Sequence, residues 1–447
     1  MPPEIAAAVK ITIVGAGWAG LAAAVAATQA GHHVTLHEAA RVAGGRARGV
    51  DMALPNGQTL TLDNGQHILI GAYTETLRLL RTVGVNVASG PQAGAESPLL
   101  RLPLALIGPD GQGLRLPRLP GFLPASWAVL AGVLRHPDWP WRERLGLLRA
   151  ALRWQAQGFQ CDDRLSVADL CAQARGAIGP RVLTELIEPL CVSALNTPAP
   201  EASAQVFLRV LRDALFAQPQ GADLLLPRVD LGSLLPEPAL RWLQAHGVTV
   251  RLGERVHDLA ALQGQDSIVL ACPAPEAARL SHAINPRWAA QAQALGHTTI
   301  ATVYAWSAHA RLHAPMLALP SSAPCPAQFV FDRGRLDPSG KSQGLLAFVV
   351  SASTGEREEI EASVLRQART QLGLELQAVR TIVEKRATFA CTPGLARPSA
   401  RIGPRLHACG DYVAGPYPAT LEGAVRSGIA AAEACAADRV SPHGLSG

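Results

Sequence analysis

The chain opens with Val9, Ile11 and Ile13 alternating with polar neighbours, and the alternation breaks at Gly15-Ala16-Gly17-Trp18-Ala19-Gly20. This pattern predicts a strand, a tight turn and a small-residue helix to about Ala30. Gly31 ends the helix, and His33–Glu38 is a second strand. Further along, apolar residues at helical spacing predict helices over Ser166–Cys171, Leu183–Ala194, Pro236–His246 and Glu356–Leu372. Strands are predicted at Val248–Leu252, Ser267–Cys272, Ile300–Trp306, Leu345–Val350 and Val379–Arg386. Phe122–Phe159 reads as amphipathic helices, and the pattern loosens through the Pro- and Gly-rich Pro91–Gly121. Near the end a strand leads to Gly410-Asp411, and Thr420 N-caps a final helix of small residues.

The opening unit has a chemical use. Its two flanking glycines serve the turn (Gly15) and the close packing of helix on sheet (Gly20). Gly17, between them, lets backbone approach a pyrophosphate, which the helix N-terminus favours electrostatically. Glu38 closes the second strand where a carboxylate can accept from ribose hydroxyls, and it disfavours a 2′-phosphate. Gly44, Gly45 and Arg46 follow, a second loop suited to folding over phosphates with a cation in reach. Asp411 is placed to hold ribityl or phosphate-side hydroxyls.

One stretch departs from the rule for core strands. Leu60–Tyr73 looks like a strand, yet carries Asp63, Asn64, Gln66 and His67 at its centre. Such breaks fall preferentially at sites.

At 447 residues two domains are expected. The net charge of +5 is mild and aromatics make up only 4% of the chain, which argues against a nucleic-acid partner. Eight cysteines lie scattered without metal or redox spacing and read as reduced cytosolic thiols. No stretch is apolar enough to span a bilayer and the start lacks a signal-peptide pattern, so a cytoplasmic protein is expected. Four of the eight tryptophans (Trp127, Trp139, Trp141, Trp154) sit among five arginines in Phe122–Phe159. That composition fits either an interfacial helix on the inner face of a membrane or a helical subdomain with partly buried tryptophans and a solvated basic face.

Taken together, the glycine turn, Glu38, Gly44-Gly45-Arg46 and Gly410-Asp411 with Leu421-Glu422-Gly423-Ala424-Val425-Arg426-Ser427-Gly428 resemble the amine oxidase/phytoene desaturase superfamily of FAD enzymes. The resemblance implies an α/β fold in which a Rossmann-type FAD-binding domain is interleaved with an α+β substrate domain carrying the helical insertion. The FAD-binding parts would be 1–84, 225–298 and 395–447, with 85–224 the helical substrate and membrane-contact region and 299–394 the substrate sheet. By position, Gly15, Gly17, Gly20, Glu38, Gly44, Gly45, Arg46, Val256, Gly410, Asp411, Leu421 and Gly423 would line FAD. Thr420 stands where monoamine oxidases carry an aromatic-cage tyrosine, so an amine substrate is not expected.

The runs Asp63–Tyr73 and Glu188–Thr197 are similar to the squalene-associated branch, the bacterial hydroxysqualene dehydroxylases. That branch implies reductive removal of the hydroxyl of a long isoprenoid alcohol to give squalene, on the way to hopanoids, with an electron donor that sequence does not identify. His67 would be the acid for the leaving hydroxyl, Gln66 and Asp63 would orient it, and Tyr417 would assist from the opposite side. An oxidative polyene desaturase and a non-catalytic prenyl-lipid carrier on the same fold are the alternatives.

Overall fold

The computed structural model describes residues 8–87, 97–120, 122–174, 178–262 and 264–440. Its central sheet has six strands in the order Thr249–Leu252, His33–Glu38, Lys10–Val14, Ser267–Leu270, Leu406–Ala408, Arg401–Gly403. The first five run parallel, and the last is antiparallel to its neighbour. Parallel strands covered on both faces need apolar residues throughout, which is why Ile11 and Ile13 are fully buried along with the alternate neighbour Thr12. Lys10–Val14 pairs with the second strand on one side and with Ser267–Leu270 on the other. Chain connections therefore diverge at its carboxyl end, the place where an open α/β sheet leaves a crevice.

The helix Trp18–Gln29 follows that strand and packs against the closing helix Leu421–Val440. Both are rich in alanine and glycine because the two backbones nearly touch. A Cβ on Gly428 would lie 2.1 Å from the Ala19 carbonyl oxygen. A Cβ on Gly20 would lie 1.9 Å from the Gly15 oxygen, the close helix-on-sheet packing read from the sequence.

A second sheet of five antiparallel strands has the order Met316–Ala318, Phe329–Asp332, Leu345–Ser351, His297–Trp306, Gln377–Phe389. Its alternation sorts side chains by face. Ala301, Val303, Phe348 and Val350 pack in a core with Ile360 and Val364 of the helix Arg357–Gln367, while Ile300, Thr302, Val349 and Ser351 face the opposite way, into a cavity.

The structure corrects one expectation and sharpens two others. Leu60–Tyr73 is not one strand: a strand ends at Asp63, pairing with Gly49–Ala53, and only Leu69–Ile70 resumes pairing. Asn64 is drawn into a loop because its amide donates to the Arg46 carbonyl and accepts from the Arg48 N–H. Secondly, the pattern loosens through Pro91–Gly121, of which 91–96 and 121 lie outside the described residues. This stretch holds strands Leu99–Leu102, Ala105–Ile107 and Gly113–Arg115. Thirdly, Trp139 and Trp154 are buried core residues. The Trp139 indole donates to Glu185 at 2.7 Å, and among the four clustered tryptophans only Trp127 and Trp141 are exposed.

The helix contact yields a direct check. Gly428→Ala should destabilise the protein by about 1–3 kcal/mol through overpacking, read as a lower denaturant midpoint with unchanged slope. A midpoint equal to that of the parent would show that the two helices can separate without cost.

Candidate functional site

A cavity of about 770 Å³ runs from the carboxyl ends of the three central parallel strands to the inner face of the antiparallel sheet. Its first end is built from the glycine turn. Gly17 caps the helix Trp18–Gln29 with its own backbone, and neither a capping side chain nor an acid occupies the first turn. The free N–H groups there make a site for an anion. A Cβ built on Gly17 meets nothing within 4 Å, so the space above this turn is open. The second loop is bonded onto the first, with the Gly44 N–H donating to the Ala16 oxygen at 2.8 Å and a parallel bridge joining Gly17 and Gly44.

Glu38 lies at the same end, and its two oxygens accept from the N–H groups of Ala16 (2.7 Å) and Ala40 (2.8 Å). Each carboxylate oxygen keeps a further lone pair for a ribose hydroxyl. Val256 lines the cavity beside it.

Arg46 reaches across to the far end of the chain. Its guanidinium pairs with the Asp411 carboxylate and donates to the Ala387 carbonyl at 2.6 Å. The ion pair holds the Arg46 guanidinium further above its ordinary value. Gly410, Asp411 and Leu421 line the cavity, and Thr420 caps the closing helix as expected, its hydroxyl accepting from the Gly423 N–H at 3.0 Å. Gly423 is not at the cavity surface. A Cβ there would fall 2.0 Å from the Tyr417 carbonyl oxygen, so this glycine permits the turn. Tyr417, expected opposite His67, does not line the cavity either. Its ring lies under the Arg426 guanidinium, 5.0 Å from the centroid, edge-on to Tyr73.

The other end of the cavity is apolar, walled by Ile68, Val192, Ala194, Ile300, Phe329 and Val349. Gln66 and His67 stand where the two ends meet, on the loop between Asp63 and Leu69. His67 Nδ1 lies 3.0 Å from the Gly65 carbonyl oxygen. A carbonyl only accepts, so Nδ1 carries the proton and Nε2 keeps its lone pair. Burial holds the imidazole down at about 4. At neutral pH His67 is thus an acceptor at Nε2, and the role of resting acid given to it from sequence does not match this arrangement.

Behind the loop lies a buried polar cluster that sequence reading only half anticipated. Asp63 is buried, with one oxygen accepting from the Leu231 N–H at 2.6 Å and the other lacking any partner. Burial pushes its carboxyl up to about 7, against the opposing pull of Arg333. Arg333, fully enclosed, donates to the Gln66 side-chain oxygen at 3.4 Å and to the Pro227 carbonyl at 3.2 Å. Arginine can only donate, so the Gln66 oxygen must face it and the Gln66 Nε2 must point away. That Nε2 has no partner. The Tyr304 hydroxyl completes the cluster by donating to the Asp63 carbonyl at 3.0 Å. Arg333 and Tyr304 were missed because Tyr304 stands in an apolar strand and Arg333 in the charged run that ends another, where nothing local marks a site. Only the strand register reveals them.

The run Glu188–Thr197 has a structural task at the cavity wall. Asn196 ends the helix Glu188–Leu195 and staples it to the antiparallel sheet. Its amide donates to the Thr298 and Thr388 hydroxyls at 2.8 and 3.0 Å and accepts from the Ala352 N–H at 2.7 Å. Among the described residues no cluster of His, Cys, Asp or Glu is arranged to hold a metal ion.

Residues 18–436 match the model of the family described as flavin containing amine oxidoreductase. The chain is 28% identical to a protein of Sinorhizobium fredii named hydroxysqualene dehydroxylase, over 95% of this chain and 97% of that one. A protein of the same name from Rhodopseudomonas palustris is 29% identical, again over 95% and 97%. In three dimensions the chain is similar to cyclohexylamine oxidase from Brevibacterium oxydans, with a TM-score of 0.64 and 18% identity, covering 97% of this chain and 100% of that one. The open space over Gly17, the uncapped helix end and the carboxylate of Glu38 fit the pyrophosphate and ribose of FAD.

Two measurements follow from this geometry. Gly17 has an extended φ of −73° and free space around it, so Gly17→Val should fold with the parent melting temperature but purify without flavin colour. A yellow variant would remove Gly17 from the cofactor cradle. The second concerns Asp63 in the flavin-free protein. A carboxyl with a raised folded value makes the folded state the better proton acceptor. Its stabilising contribution is full below the ordinary 3.8 and is lost as pH rises through about 7. Asp63→Asn, which keeps an oxygen for the Leu231 N–H, should gain stability relative to the parent as pH increases across that window, by denaturant titration. A difference independent of pH would place the proton elsewhere.

Proposed function

The chain belongs to the flavin-containing amine oxidoreductase family, and from this we propose that it is an FAD-dependent enzyme that reductively removes the hydroxyl of hydroxysqualene to give squalene. The observation that carries the reading is the meeting of an apolar chamber with a buried amide donor that lacks a partner, Gln66 Nε2, on a residue lining the cavity. Similarity over nearly the whole chain to proteins named hydroxysqualene dehydroxylase supports the substrate.

FAD, when bound and reduced, supplies a hydride equivalent at N5. The residues of the chain have four further tasks. Ile68, Val192, Ile300, Phe329 and Val349 exclude water and take up a hydrocarbon chain. Gln66 donates its free N–H to the substrate oxygen, where negative charge builds as the C–O bond breaks, and Arg333 fixes the amide in that sense. Departure as water requires one proton, and Asp63, with its carboxyl at about 7, is the group in this cluster that still holds one near neutrality. His67 contributes an acceptor at Nε2 for the substrate O–H.

The test is anaerobic. Dithionite-reduced holoenzyme mixed with hydroxysqualene should yield squalene and oxidised flavin in equal amounts. In a second arm, oxidised holoenzyme given a linear polyene would form new conjugated double bonds absorbing visible light if the enzyme were a desaturase, and no reaction in either arm would support a carrier. Gln66→Leu should keep full flavin content and lose roughly 10²–10³-fold in kcat. A kcat near that of the parent would remove the Gln66 amide from the reaction.

A further inference from the structure

We propose that the helices Ala125–Arg135 and Trp141–Ala156 form a face that docks on an anionic phospholipid bilayer. The inference stands on the surface alone and does not depend on the identity of the substrate. Among the described residues nine large hydrophobic side chains are exposed, and six of them, Phe122, Trp127, Leu130, Trp141, Leu145 and Leu152, fall on this one stretch. Chance scatter over the surface would not gather them so. Phe122 is 83% exposed and Leu152 65%, values that suit insertion rather than partial packing.

The spacing shows that the exposure is organised. Trp127 and Leu130 are three residues apart on the first helix, while Trp141 and Leu145, four apart, continue to Leu152 along one side of the second. Adjoining side chains hold the structure together: Val133 on the first helix and Leu147, Ala150 and Trp154 on the second are core residues. Trp141 is also held in place. Arg144 donates to the carbonyls of Leu134, Pro137 and Trp139, which fixes its guanidinium 4.7 Å over the Trp141 ring.

Charge selects the occupant. Arg135, Arg142, Arg149 and Arg153 are exposed on the same two helices and make no ion pair among the described residues. The acid of the second helix, Glu143, turns inward to accept from the Val182 N–H at 3.1 Å. Apolar and tryptophan side chains ringed by unpaired arginines complement the headgroup boundary of an anionic leaflet. A second copy of the chain would bring the same unpaired positive charge to the contact.

This face is connected to the cavity wall through one intervening segment. Trp139 bonds to Glu185, and the segment Pro180–Ile187 runs directly into the helix whose Val192, Ser193 and Ala194 line the chamber. A lipid-soluble molecule leaving the bilayer at this face would therefore stand one helix away from the apolar chamber.

Flotation of the holoenzyme with extruded vesicles of phosphatidylcholine alone, or with 30% phosphatidylglycerol, tests the proposal. Binding is expected to the anionic vesicles and to weaken with added salt. Trp127→Ser/Trp141→Ser/Leu152→Ser should cut partitioning at least about tenfold. Arg142→Gln/Arg149→Gln/Arg153→Gln should cut it roughly a hundredfold. Flavin absorbance and melting temperature should stay unchanged in both, and Ile284→Ser, exposed elsewhere, should bind like the parent. Failure of the parent protein to float, or equal flotation of all variants, would overturn the proposal. So would loss of a dimer by light scattering in the apolar variant with vesicle binding intact, which would assign the face to a second copy.

Discussion

The ion pair between Arg46 and Asp411 is the contact on which the rest of the site depends. It joins residues from opposite ends of the sequence directly over the crevice of the parallel sheet. The helix Trp18–Gln29 and the closing helix are pressed together with almost no side chain between them, so the glycine loops at their N-terminal ends are fixed relative to one another. A cradle for an extended dinucleotide needs that rigidity, because its phosphate and ribose groups are held many residues apart by short polar contacts. Glu422 adds a second tie. Enclosed in the core, its carboxylate accepts from the N–H groups of Glu75 and Thr76 and pairs with Arg426, so it caps one helix from within another.

Burial then sets the chemistry at the opposite end of the crevice. The same apolar surroundings act on Asp63 and His67 with opposite results, because desolvation penalises whichever form is charged. Asp63 keeps its proton into the neutral range, whereas His67 gives its second proton up. Arg333 is what allows a carboxyl and an amide to be enclosed there at all, since it offers both a cation and a donor that sets the amide's direction.

Much of this was legible in the sequence, for reasons that differ by element. The strand–turn–helix–strand of residues 9–38 is local and its spacing is rigid, so His33–Glu38 agrees residue for residue. The return of α/β rhythm after Pro236 was legible, and strands Thr249–Leu252 and Ser267–Leu270 join the central sheet. Short strands such as Met316–Ala318 and Phe329–Asp332 left no readable period. The tryptophan-rich insertion was read correctly as helices, but which of its rings are buried was not legible, because composition carries no information on which way a ring points. Tyr417 misled for a similar reason: it lies close in sequence to cavity residues, but the turn at positive φ carries its ring outward.

The order of strands in the parallel sheet has a consequence for how the protein comes into being. The central strand, Lys10–Val14, is made early, but its partner Ser267–Leu270 emerges from the ribosome more than half a chain later, and Leu406–Ala408 later still. A nascent polypeptide therefore carries the apolar central strand of its parallel sheet without a neighbour on one side for most of translation, which makes it a natural client of holding chaperones. Capture of the nucleotide then coincides with completion of the polypeptide, and a prematurely terminated product has no means of retaining it.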